Sequence, residues 1–252
     1  MSVLVVRGLS KAFGGVTAVD DVSFAVAPGE MLALIGPNGA GKSTCFNMVG
    51  GQLPPDTGSV LLDGTPITGL GPRAIARHGV GRTFQITATF GSMTVRENVQ
   101  MALLAHRGEI WQFWRPVAGR HAADADALLD QVGLLAQAER ATGVLAYGDL
   151  KRLELAIALG NAPRLLLMDE PTAGMAPAER VGLMQLTRRL ATARGVAVLF
   201  TEHDMDVVFD VSDRILVLNR GALIAEGDGA AIRANPAVRE IYLGTGATSG
   251  GH

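Results

Sequence analysis

The chain has 252 residues, 48% of them hydrophobic and 18% charged, with 22 basic against 24 acidic side chains. With glycine counted and tyrosine left out, about 60% of residues are apolar against roughly 45–50% in an ordinary globular chain. That composition excludes intrinsic disorder, and a net charge of −2 argues against a nucleic-acid binder that relies on a broad basic field.

The elements follow in chain order. Residues 2–7 read as a Val/Leu strand. They lack the layout of a secretory leader, because Arg7 interrupts a short apolar stretch. Residues 22–27 form a second strand, closed by the turn pair Pro28-Gly29. Residues 31–35 are a continuous apolar run, the pattern of a strand buried on both faces. The glycine-rich stretch 36–43 follows, then a helix to about Gly50 that carries Cys45. This lone cysteine cannot make an internal disulfide, so a reducing compartment is expected; it reads as a small buried apolar residue. Residues 59–62 lead into the hairpin turn Asp63-Gly64.

The middle changes character. Thr94 and Glu97 have capping-box spacing, with a helix over 95–105. Residues 108–119 break the pattern and hold Trp111 and Trp114, which read as a hydrophobic patch folded onto the helices or as an apolar contact surface for a partner or lipid headgroups. Residues 122–132 are again helical, so 87–159 reads as a mostly helical insert. Residues 165–168 and 196–200 are buried-strand runs on either side of a helix over 177–194, with Pro177 in its first turn and Gly195 at its stop. Strands alternating with helices predict a parallel sheet with crossovers. Residues 214–218 and 222–225 flank Asn219-Arg220-Gly221 as a hairpin, and 244–252 reads as a frayed tail. No apolar run approaches the roughly 18 residues of a membrane span. The expectation is one α/β domain, with a core from 1–86 and 160–243 around the helical insert.

Gly36, Pro37, Asn38, Gly39, Ala40, Gly41, Lys42 and Ser43 match the phosphate-binding pattern Gly-x₄-Gly-Lys-Ser/Thr, between a buried strand and a helix as that motif requires. Glycines let the backbone wrap around phosphate oxygens, and the helix N-terminus adds a favourable dipole. Lys42 is expected to reach the β- and γ-phosphates and Ser43 to ligate Mg²⁺. The apolar run 165–168 ends in Asp169-Glu170, at the strand end where ligands of open α/β sheets bind. Asp169 can hold Mg²⁺, and Glu170 can polarise an attacking water as general base.

These motifs, with Gln85, Leu145 to Asp149 and His203 in the same order and approximate spacing, resemble the ATP-binding subunits of ABC transporters over nearly the whole length. The resemblance implies an α/β P-loop NTPase core with N-terminal antiparallel strands and a helical signature subdomain. It implies ATP and Mg²⁺, with ATP held by 36–43 and Thr44. Phe13 would stack on adenine, its alternative being an ordinary core phenylalanine. Gln85 would sense Mg²⁺ and the attacking water, and His203 would contact the γ-phosphate; a lone histidine is otherwise a satisfied polar residue. Leu145, Ala146, Tyr147, Gly148 and Asp149 align with the signature segment that completes the ATP site of the opposite subunit. Here Ala146 replaces serine, Tyr147 replaces glycine and Asp149 replaces glutamine, while Ala176 stands where aspartate is common.

The same departures, with Arg82 to Gln85, Met93 to Asn98, Glu202 to Met205 and Tyr242 to Gly244, are similar to the branched-chain amino-acid importer group. That group implies an ATPase working as a homo- or heterodimer at the cytoplasmic face of the membrane. Its partners would be integral membrane permease subunits and, indirectly, an external substrate-binding protein, with no nucleic acid. Alternatives are a urea or amide importer, a lipopolysaccharide-type exporter, a non-transport ABC ATPase, or a small-molecule P-loop kinase.

Overall fold

A computed structural model describes residues 2–83, 89–109 and 119–244. Gln85, Trp111, Trp114 and residues 245–252 lie outside these. In chain order the elements are β1 (Leu4–Phe13), β2 (Val16–Val26), β3 (Met31–Ile35), α1 (Lys42–Val49), β4 (Thr57–Leu62), β5 (Thr65–Pro66), α2 (Pro72–Arg77), β6 (Val80–Thr83), α3 (Val95–His106), α4 (Ala122–Gln131), α5 (Tyr147–Gly160), β7 (Leu165–Asp169), α6 (Pro177–Arg194), β8 (Ala197–Thr201), α7 (Met205–Val211), β9 (Arg214–Asn219), β10 (Ala222–Gly227), α8 (Gly229–Ala234) and α9 (Pro236–Gly244). Gly244, read from sequence as the start of a tail, is the last residue of α9.

The main sheet runs β10-β9-β3-β8-β7-β6, and the smaller one β2-β1-β4-β5. The main sheet is parallel from β9 to β6, with β10 antiparallel at the edge; the smaller sheet is antiparallel. β3 is buried at all its residues because it feeds two cores. Met31, Ala33 and Ile35 join the cluster with the helices α3 to α7. Leu32 and Leu34 join the other, with Phe46 and Val49 of α1 and Leu4, Val6 and Leu9 of β1. β7 and β8 divide in the same way: Leu166, Met168, Val198 and Phe200 face one side, and Leu165, Leu167, Ala197 and Leu199 the other. Burying each such Leu, Ile or Phe contributes about 1.5–3 kcal/mol. Parallel strands covered on both faces therefore need continuous apolar runs rather than alternation.

Two strands are longer than the sequence pattern suggested. β1 and β2 pair as a hairpin through Gly14 (φ 53) and Gly15 (φ 85), both in the left-handed region that a tight two-residue turn demands. Register shifts between Val6, Leu9, Lys11 and Ala12 break the period of two, which hid the second half of β1 and the first half of β2. β6 was also missed. Its four residues Val-Gly-Arg-Thr are too short and too interrupted by Gly81 to show a clear strand pattern, and a Cβ on Gly81 would be tight, 3.1 Å from Ala158 O and 3.2 Å from Pro163 Cβ.

Between β6 and β7, α3, α4 and α5 pack through Val95, Val99, Leu103, Ala125, Leu129 and Leu153. The capping box forms: Thr94 Oγ1 accepts from Glu97 N at 3.1 Å, and Glu97 Oε2 accepts from Thr94 N at 2.8 Å. Pro177 opens α6, and Gly195 (φ 66) ends it. Among the described residues no helix is long and apolar enough to cross a membrane.

Candidate active site

β3, β8 and β7 are neighbours in the main sheet and run parallel. Their C-terminal ends therefore deliver three segments to one edge: the glycine-rich turn 36–41, the residues after Thr201, and Asp169-Glu170. A cavity of about 220 Å³ opens there. Ala18, Asn38, Gly39, Ala40, Gly41, Lys42, Ser43, Thr44, Glu170 and His203 line it.

The turn is shaped by close backbone approaches. A Cβ on Gly36 would sit 2.2 Å from Leu218 O, and one on Gly41 2.2 Å from Ala18 O. Gly221 N donates to Ala40 O at 2.9 Å and Asp20 N to Gly221 O at 2.9 Å. The β9–β10 hairpin thus braces the turn against β2, a support that sequence reasoning missed. α1 begins at Lys42 after Gly41 in the left-handed conformation, with no side-chain cap. Its first internal bond runs from Cys45 N to Gly41 O at 2.9 Å. The amides of Lys42, Ser43 and Thr44 therefore have no partner of the helical i−4 type, the arrangement that makes a helix start an anion site.

Lys42 is buried and donates to Gly36 O at 2.7 Å and Pro37 O at 3.1 Å. An ammonium has three protons, so one remains for a ligand. Burial lowers its pKa, opposed by the negative charges of Glu170 and Asp169. A phosphate beside it would replace lost solvation with ionic contact.

Asp169 ends β7. Its Oδ1 accepts the Thr201 hydroxyl at 2.7 Å, and its Oδ2 lies 3.9 Å from the Arg82 guanidinium. Glu170 has φ 46, uncommon for a non-glycine residue. That backbone is held by Glu170 N donating to Thr201 Oγ1 at 3.0 Å and to Thr201 O at 3.2 Å. Glu170 Oε1 and His203 Nε2 are 2.7 Å apart, so the imidazole can fix the carboxylate's direction. Together they place a hydrogen-bonded carboxylate over a phosphate-sized cradle, which is the equipment for activating water. No group of three or more His, Cys, Asp or Glu suited to a metal occurs among the described residues. Ser43 and Asp169 instead offer a hydroxyl and a carboxylate. That sparse oxygen set fits Mg²⁺, which keeps several waters and takes other ligands from phosphates.

Glu202 carries weight that sequence reasoning did not assign. It is buried, and its Oε1 accepts from Thr172 N at 3.0 Å and from the Thr172 hydroxyl. Its Oε2 accepts from His203 N at 3.1 Å. One carboxylate thus ties the loop after Glu170 to the loop bearing His203. The signal was a charged residue close behind the apolar run 196–200, after Thr201.

The segment Leu145 to Asp149 does not line this cavity. It forms the start of α5, whose N-cap Ala146 provides no side-chain bond. Tyr147 Oη donates to Ala173 O at 3.0 Å, and Gln137 Nε2 to Asp149 Oδ2 at 2.7 Å. Phe13 is 49% exposed at the end of β1, so the core alternative for it falls; Ala18, on the paired strand, lines the cavity. Cys45 is fully buried, and burial pushes its thiol up to about 12. Gln85 lies outside the described residues.

Comparison with known proteins points to a family. A family model described as ABC transporter matches residues 19–173. A second, described as Branched-chain amino acid ATP-binding cassette transporter, matches 222–248. The chain is 41% identical over 249 residues to the high-affinity branched-chain amino acid transport ATP-binding protein BraF of Pseudomonas aeruginosa, covering 96% of this chain and 98% of that one. It is 40% identical over 248 residues to LivG of Escherichia coli K12, which bears the same description, covering 96% and 97%. Among solved structures it resembles an ATP-binding cassette of an ABC transporter in its ADP conformation. The TM-score there is 0.85 at 32% identity, covering 97% of this chain and 99% of that one. A nucleotide-free cassette gives 0.84 at 33%, covering 96% and 99%.

Proposed function

The chain belongs to the ABC transporter family of ATPase subunits, and from that premise we propose that it powers an importer of branched-chain or related amino acids. The observation that carries the ATPase chemistry is the cavity that joins the 36–44 cradle to Glu170 and His203. The cargo rests on the relatives' names.

In this reading the amides of 38–44 and Lys42 bind the ATP phosphates, and Phe13 packs on the adenine. Ser43, Asp169 and Gln85 hold Mg²⁺, which when bound neutralises phosphate charge. Glu170, directed by His203, takes the proton of the attacking water, and His203 then turns to the γ-phosphate. Leu145, Ala146, Tyr147, Gly148 and Asp149 serve the ATP of the opposite subunit, a role supported by the start of α5, whose first-turn amides have no side-chain cap. Ala146 lacks a hydroxyl, so closure at that site relies on amides alone. ATP favours the closed dimer through γ-phosphate contacts that hydrolysis removes.

Residues 87–159 act as a helical subdomain against the 1–86 and 160–243 core, and the surface near Gln85 and Phe90 carries the motion to permease subunits. The chain works at the cytoplasmic face of the membrane, with a second ATP-binding subunit and, indirectly, an external binding protein. Reconstitution with branched-chain amino-acid permease subunits and their binding protein tests this. ATP-driven uptake of labelled leucine, isoleucine or valine is expected. ATP turnover with uptake of only a urea, amide or lipid cargo would overturn the cargo assignment.

A further inference from the structure

Three stretches of chain meet at one buried side chain. Asn98, in α3, is 3% exposed. Its Oδ1 accepts from Phe90 N at 2.8 Å. Its Nδ2 lies within bonding distance of Phe90 O at 3.2 Å, Thr94 O at 2.9 Å and Thr142 Oγ1 at 2.9 Å. Thr142 is equally buried. The Phe90 N–H fixes which way the amide points, because only the oxygen can accept.

The backbones on either side of this amide are joined as well. Thr142 N donates to Met93 O at 2.9 Å, Gly143 N to Gly91 O at 3.1 Å, and Val95 N to Arg140 O at 2.9 Å. A Cβ on Gly143 would lie 3.2 Å from Gly91 O, so the two chains run close together there. One chain, from Phe90 onward, leaves the Gln85 segment and begins with a 54% exposed phenylalanine. The other ends at Leu145, where the signature segment starts.

A buried amide costs free energy unless its groups are paired. The neighbouring positions Val95, Val99 and Leu103 of the same helix are apolar, and an aliphatic residue at 98 would satisfy the core. What the amide adds is a fixed register between two loops that no apolar contact would specify.

We propose that Asn98 is a positioning residue that locks the chain leaving Gln85 to the signature segment, so that displacement at Phe90 moves Leu145 to Asp149 as one piece. This rests on the dimeric ATPase reading above for its consequence, but not for its geometry. Asn98→Asp keeps the size and the acceptor for Phe90 N–H, and sets an oxygen against the carbonyls of Phe90 and Thr94.

The test uses the full chain. Hydrogen exchange is expected to quicken about tenfold in both stretches, 89–95 and 138–144, with β3 and β8 within about twofold of the parent. In a Glu170→Gln background, ATP-dependent dimerisation read by sedimentation should weaken about tenfold, while fluorescent-nucleotide affinity of the monomer stays within about twofold. Thr142→Val, which removes only one partner, should give the same pattern at about threefold and decides the matter if Asn98→Asp does not fold. Exchange that rises in one stretch alone, or in neither, overturns the proposal. So does undiminished dimerisation despite quickened exchange, or an equal loss of nucleotide affinity. If the Glu170→Gln parent itself fails to dimerise with ATP, the dimer reading falls, and the exchange pattern alone decides Asn98.

Discussion

Replacing Glu202 should damage stability and chemistry together while sparing nucleotide binding. Its carboxylate accepts three hydrogen bonds, two of them from Thr172, which is 1% exposed. Glu202→Ala strands the Thr172 amide and hydroxyl away from water and frees His203 N. At about 1–3 kcal/mol for each buried donor left unpaired, the loss should reach about 3–5 kcal/mol. Glu202→Gln retains one acceptor oxygen and should cost about 1–2 kcal/mol, since either Thr172 or His203 then faces an amide N–H₂. Urea unfolding gives both values. Because the hydrogen bonds of Glu202 anchor the loops carrying Glu170 and His203 and reach Thr172 and His203 rather than 36–44, kcat should fall more than about tenfold with KM for ATP within about twofold. A Glu202→Ala protein within about 1 kcal/mol of the parent and with unchanged kcat would refute this reasoning.

Gly36→Ala and Gly39→Ala should part company. The first puts a Cβ 2.2 Å from Leu218 O, whereas the second meets nothing within 4 Å. The expected costs are about 3 kcal/mol or more with loss of nucleotide binding for Gly36→Ala, against about 1–2 kcal/mol for Gly39→Ala from its left-handed backbone alone; urea unfolding and nucleotide titration compare them. Tyr147→Phe removes the bond to Ala173 O, which should cost under about 1 kcal/mol of stability yet lower kcat several-fold by uncoupling α5 from the loop after Glu170; steady-state kinetics read the effect. Cys45, fully buried with its thiol pushed up to about 12, should resist iodoacetamide at pH 8 in the native protein and react fully in urea, as mass spectrometry would record.

Much of the site was legible because its chemistry depends on local spacing. The 36–43 turn, the apolar run before Asp169-Glu170 and the Pro177 to Gly195 helix each carry their signals within a few residues. Capping at Thr94 and Glu97 was readable for the same reason. What escaped depends on contacts distant in sequence. Gly36 is obligatory because of Leu218, Gly41 because of Ala18, and Glu202 matters because Thr172 folds beneath it. Asn98 entered only as the end of the segment Met93 to Asn98, since its partners Phe90 and Thr142 come together only when the two loops pair. The β1–β2 hairpin was obscured by bulges, although Gly14-Gly15 marked its turn.

The proposed role of Glu170, activating water at the 36–44 cradle, is open to a direct test. Glu170→Gln keeps the shape and the capacity to bond His203 but removes the base. Single-turnover assay of this variant with Mg²⁺ and labelled ATP should show nucleotide bound at near-parent affinity, hydrolysis slowed by about a hundredfold or more, and accumulation of an ATP-bound dimer. Hydrolysis at the parent rate would contradict the assignment.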